Sequence, residues 1–131
     1  MAIEPDHEHD RIARQIVDSA FAVHRALGPG LLESVYEQCL ICELSARNRP
    51  VQRQVAIPVF YRDVRMDLGF RLDLLVDSLV VVEIKAVERL LPVHEAQLLT
   101  YLKLSRRRLG ILMNFNVVLI KDGLRRIVRS P

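Results

Sequence analysis

The chain has 131 residues, half of them apolar and 27% charged, with 19 Lys+Arg against 16 Asp+Glu for a formal charge of +3. That is enough apolar material for one packed core, and it excludes a disordered or low-complexity chain. No apolar run nears the roughly 20 residues of a membrane helix, and the acidic start MAIEPDHEHD is the reverse of a signal peptide. A cytoplasmic protein with no membrane partner is expected, folded as one domain over 1–131 with residues 1–9 as a flexible N-terminal tail.

From Asp10 to Leu27 the residues Ile12, Ile16, Ala20, Val23 and Leu27 recur at helical spacing. Gly28-Pro29-Gly30 ends that helix, glycine suiting a left-handed cap and proline blocking continuation. A second helix is predicted over 31–47, with Leu32, Val35, Cys39, Leu40 and Leu44 as core contacts. β-branched and aromatic residues then make 51–61 a strand whose Pro58 marks an edge or a bulge. Arg62-Asp63 is a turn, 64–76 is extended with an interruption near Gly69, and Asp77-Ser78 turns the chain again. Residues 79–86 (LVVVEIKA) are almost continuously apolar, the pattern of a central strand buried on both faces. Pro92 opens a third helix running to Arg107. Residues 109–115 form another buried strand, and 124–128 a short last one. The order α-α-β-β-β-α-β-β gives an α/β fold, a central mixed β-sheet flanked by helices.

The chemistry concentrates at Asp73 and at Glu83-Ile84-Lys85. Period-two alternation points Glu83 and Lys85 to one face of an otherwise apolar strand. Charges there are costly unless paired, hydrogen-bonded or holding a metal. Counting outward from the Asp77-Ser78 turn brings Asp73 level with Glu83 on the neighbouring strand. Two carboxylates and an ammonium converge, and hard oxygen ligands of this kind suit Mg²⁺ or Mn²⁺. The plainer alternative is a buried Glu83–Lys85 ion pair with Asp73 beside a turn. On the third helix His94, Gln97 and Tyr101 share a polar stripe, facing either water or a site, while Ala96, Leu98, Leu99 and Leu102 are left to bury. Glu33, in the first turn of the second helix, is explained equally by the helix dipole.

Gly30-Leu31-Leu32-Glu33-Ser34-Val35-Tyr36 resembles the motif of the GxxExxY proteins, and residues 23–29, 92–98 and 114–116 resemble them as well. The resemblance spans about residues 10 to 129. It implies a place in the PD-(D/E)XK nuclease superfamily and the restriction-endonuclease-like fold, built on an αβββαβ core. It further implies Asp73 as the first metal-binding acid, Glu83 as the second and Lys85 as the motif lysine. The Ile84 carbonyl joins the metal set, and Glu33 is the additional helix acid and a candidate for a second metal. Gln97 and Tyr101 match a Q-x-x-x-Y helix signature. Leu72 stands where the superfamily's pattern has proline.

Cys39-x-x-Cys42 lies mid-helix without a second pair, so packing cysteines are expected rather than a zinc or redox site. His7 and His9 belong to the tail, and His24 is a packed histidine. Arg106-Arg107-Arg108, Lys121, Arg125, Arg126 and Arg129 are either a phosphate-tracking surface or a solvated, cation-favouring helix end with its neighbours. The expected function is metal-dependent phosphodiester hydrolysis with Mg²⁺ (or Mn²⁺), on nucleic acid and in the first instance DNA, with a homodimer needed to cut both strands together. A nuclease-fold module that binds nucleic acid or a protein without cutting, and a small-molecule phosphoesterase, stand as alternatives.

Overall fold

A computed structural model describes residues 6–130. Helix α1 (His7–Leu27) begins before the expected start. The Asp6 side chain accepts from the His9 backbone N–H, Glu8 and Asp10 lie in the first turn, and His9 is buried. Residues 7–9 are therefore helix rather than tail, because an acidic first turn behind an aspartate cap is a helix start. Residues 1–5 of the expected tail lie outside the described residues.

Helix α2 (Glu33–Ala46) follows the Gly28-Pro29-Gly30 loop. It presents Tyr36, Leu40 and Leu44 to the core, not the predicted Leu32 and Val35; Leu32 is 73% exposed. Cys39 packs beside the core, but Cys42 is exposed and is not the packing residue predicted. Tyr36 makes the choice of face intelligible. Its ring stacks on Phe115 at 4.4 Å, and its hydroxyl donates to the Gly28 carbonyl at 2.7 Å and accepts from Leu31 N–H at 3.0 Å. The loop it ties down needs glycine, since φ is +72° at Gly28 and +99° at Gly30.

The sheet has five strands in the order β1 (Val51–Tyr61), β2 (Val64–Val76), β3 (Val80–Lys85), β4 (Leu109–Asn114) and β5 (Leu124–Val128). β1–β2, β2–β3 and β4–β5 pair antiparallel, and β3–β4 pair parallel across α3 (Pro92–Ser105). Both central residues of the two early turns, Arg62-Asp63 and Asp77-Ser78, have positive φ, as tight hairpins require. β1 is an edge strand, and its register with β2 shifts around Pro58. Opposite that irregularity a Cβ at Gly69 would run into the Ile57 carbonyl.

Helices α1 and α2 cover one face of the sheet, over Leu74, Val76, Val80, Val82, Ile84 and the β4 residues Leu109, Ile111 and Met113. α3 covers the other with Leu98 and Leu102, over Leu72, Leu75, Val81 and Leu112. Ala96 and Leu99, expected to bury, are exposed. The helix stops at Arg106, whose left-handed backbone (φ 58°) ends the last turn.

Candidate active site

The β2–β3 ladder runs from Val76–Val80 to Leu74–Val82 and stops. Asp73 and Glu83 would be the next pair, and at that level side chains replace the ladder. The Asp73 backbone N–H donates to Glu83 Oε1 at 3.1 Å, and the Ile84 N–H donates to Asp73 Oδ2 at 2.8 Å. β2 also changes face here, because Leu74 packs under α1 and α2 whereas Leu72 packs under α3. The two strands fork at the acids, and each carboxylate caps the other strand's backbone.

Glu83 is only 5% exposed. Burial pushes its carboxyl up to about 9, and the charge of Asp73 adds to the rise, while Lys85 acts weakly in the opposite sense. Lys85 is not spent on neutralising either acid. Among the described residues it forms no ion pair, and its Nζ donates to Gln97 Oε1 at 3.4 Å. Tyr101 stacks on Phe70 with ring centroids 4.3 Å apart. Burial and the nearby charges of Glu83 and Asp73 raise its phenol above the ordinary 10, so its hydroxyl keeps its proton.

Asp73, Glu83, Lys85, Gln97 and Tyr101 are thus drawn together between the strand fork and α3. Glu33 is not joined to them by any contact among the described residues: it is exposed at the first position of α2. The helix acid that does reach the site is Glu37, one turn further on and 6% exposed. Its carboxylate accepts from Arg53 Nε at 2.9 Å and from Gln54 Nε2 at 3.2 Å, and the same Gln54 amide lies 3.5 Å from Asp73 Oδ1. Its signal in the sequence was its place on the stripe Glu37, Leu40, Leu44, where a charge needs a partner.

His94, placed on the polar stripe with Gln97, caps α3 instead, its Nδ1 accepting from the Leu91 N–H at 2.9 Å. His24 is packed as expected and bonded to the Val117 carbonyl at 2.8 Å. Much of the basic C-terminal quarter is engaged in the fold: Arg107, Arg125 and Arg129 donate to backbone carbonyls, and Arg126 pairs with Asp10. Asn114, buried at the end of β4, holds the segment after Lys85 through Val87 N–H at 3.0 Å and the Val87 carbonyl at 2.9 Å.

No group of three or more His, Cys, Asp or Glu side chains forms a cage for a metal among the described residues. The donors on offer are two carboxylates and backbone oxygen, and burial together with the charge of Asp73 raises the carboxyl of Glu83. That set fits an ion such as Mg²⁺, which takes one or two carboxylates and leaves its other positions to water or phosphate. Residues 10–127 match the family model of the PD-(D/E)XK nuclease superfamily. The chain belongs to that superfamily. No curated protein and no solved structure matches it. The three helices and five-stranded mixed sheet of the described residues are the restriction-endonuclease-like fold. No helix is long and apolar enough to cross a membrane among the described residues.

Proposed function

We propose that the protein is a Mg²⁺- or Mn²⁺-dependent nuclease that hydrolyses phosphodiester bonds in nucleic acid, with DNA as its substrate. The observation that carries this reading is the pairing at the strand fork. Two carboxylates converge on each other's backbone while the lysine two residues on is held by Gln97 and by neither acid. A merely structural arrangement would set the Lys85 ammonium directly against one of the two acids, and it lies on Gln97 instead.

Asp73, Glu83 and the Ile84 carbonyl would hold the ion, which supplies Lewis-acid activation of water and neutralises charge building on the phosphate. Lys85 orients the attacking water and faces the phosphate with a positive charge, and Gln97 fixes where that ammonium sits. Tyr101, still protonated, donates to a non-bridging phosphate oxygen. α3 and the segment locked by Asn114 keep these groups in one geometry. Glu33, exposed one turn from Glu37, would serve a second ion, the role that the superfamily's additional helix acid implies. Cutting both strands of a duplex together calls for a second copy of so small a chain.

The test is a cleavage panel over plasmid, linear duplex, single strands and RNA, with Mg²⁺ or with chelator, beside Asp73→Ala and Lys85→Ala. Cleavage by the wild-type protein is expected to require the ion and to vanish in Asp73→Ala. Lys85→Ala is expected to slow it roughly a hundredfold to a thousandfold with the fold intact. Cleavage that survives in Asp73→Ala contradicts the proposal. Nucleic-acid binding with no cleavage in any arm would favour a non-cutting module.

A further inference from the structure

The reaction described above leaves one side of Asp73 unused. Between the register pairs Arg53–Leu74 and Val55–Leu72, the residue across from Asp73 is Gln54. Its φ of 50° lies in the left-handed region in the middle of a strand. A residue with a Cβ adopts that backbone at a cost, and it persists where the surroundings enforce it, commonly beside a functional group. What surrounds Gln54 is a chain of polar contacts. Its Nε2 donates to Glu37 Oε2 at 3.2 Å and, as the weaker contact, to Asp73 Oδ1 at 3.5 Å. Glu37 Oε1 accepts from Arg53 Nε at 2.9 Å, so this buried carboxylate is both paired and hydrogen-bonded. Asp73 is therefore contacted at both oxygens, Oδ2 closely by the Ile84 N–H and Oδ1 at longer range by the Gln54 amide.

We infer that Gln54 and Glu37 are positioning residues: through the Gln54 amide, α2 sets the orientation of the Asp73 carboxylate for the divalent ion. The inference rests on the nuclease reading above. Neither residue touches the ion or the phosphate; Glu37, anchored by Arg53, aims the amide, and the amide fixes the plane of the acid. Groups that orient a metal ligand in this way change metal affinity by roughly ten- to a hundredfold when removed. The left-handed backbone follows from the same arrangement, since it is at the residue whose side chain reaches both acids.

That backbone supplies a clean test. Glycine accepts φ 50° freely, so Gln54→Gly removes the amide while relieving the backbone, which offsets the hydrogen bond that Glu37 loses, and the variant is expected to stay folded with a midpoint near that of wild type. Gln54→Asn tolerates the same backbone but is one methylene short, and Glu37→Gln removes the charge that aims the amide. Mg²⁺ binding by calorimetry, the Mg²⁺-induced rise in unfolding midpoint and the Mg²⁺ dependence of DNA cleavage are measured for each. In all three variants the Mg²⁺ Kd is expected to weaken about tenfold or more. The Mg²⁺ midpoint for cleavage should move by the same factor, KM for DNA should stay unchanged, and excess Mg²⁺ should restore most of kcat. A wild-type Mg²⁺ Kd in Gln54→Gly overturns the inference and leaves the nuclease reading standing, as does an effect confined to the unfolding midpoint. A wild-type protein that neither binds Mg²⁺ nor cleaves overturns both.

Discussion

In the protein without an ion, Glu83 holds its proton up to about pH 9, because burial and the Asp73 charge both disfavour its ionised form. The folded state thus binds a proton across the interval in which an unfolded glutamate, at about 4.5, has already lost it. The stability this group contributes is complete below the unfolded value and is lost as pH rises through the folded one. Glu83→Gln removes that dependence. At pH 8 and without metal the variant is expected to melt several degrees above wild type, each kcal/mol moving the midpoint by roughly 4 °C, and near pH 4 the two should converge. Because Mg²⁺ needs the carboxylate, its binding to wild type should release close to one proton, with affinity rising up to about tenfold per pH unit between pH 6 and 9. Titrations in buffers of different ionisation enthalpy count that proton, and an affinity flat with pH would contradict the assignment. The opposition of Asp73 and Glu83 was legible in the sequence because it needed only a tight turn and period-two counting. The partners of Glu37 and Lys85 were not, since Arg53 and Gln54 come from β1 and Gln97 from α3, elements whose placement against α2 and β3 no local spacing encodes.

Among the elements, α2 taught the most. Apolar spacing offered Leu32 and Val35 as core residues, yet the helix is rotated so that Tyr36 enters instead. Tyr36 buries a ring against Phe115 and uses its hydroxyl on the loop that starts the helix. An amphipathic tyrosine fits a site or a core equally well by pattern, and its packing against β4's far end decides the matter. Tyr36→Phe keeps the stacking and loses both loop hydrogen bonds, which costs about 1–2 kcal/mol. Chemical denaturation should show that loss with an unchanged Mg²⁺ Kd, because the hydroxyl contacts only the loop. A weakened Mg²⁺ Kd would instead give the hydroxyl a role at the strand fork. The start of α1 is also written in the sequence, since Asp6 ahead of Glu8 and Asp10 is a capping pattern, but the polarity of the first ten residues masks it.

For the molecule as a whole, element order and sheet type were legible, because turn residues, β-branched runs and the single long crossover leave few topologies open. What no composition or spacing revealed is that β2 parts from β3 at the acids and changes face there, so that the site lies in a fork between strands with α3 on one side and α2 reaching in from the other. That fork is also where Asp73 and Glu83 lie near Lys85, which forms no ion pair among the described residues. Anomalous diffraction from crystals soaked in Mn²⁺ interrogates it directly. A peak about 2.1 Å from carboxylate oxygens of both Asp73 and Glu83, with Lys85 still on Gln97, is the predicted result. A map with no peak there, and the Lys85 ammonium lying between the two acids, would contradict it.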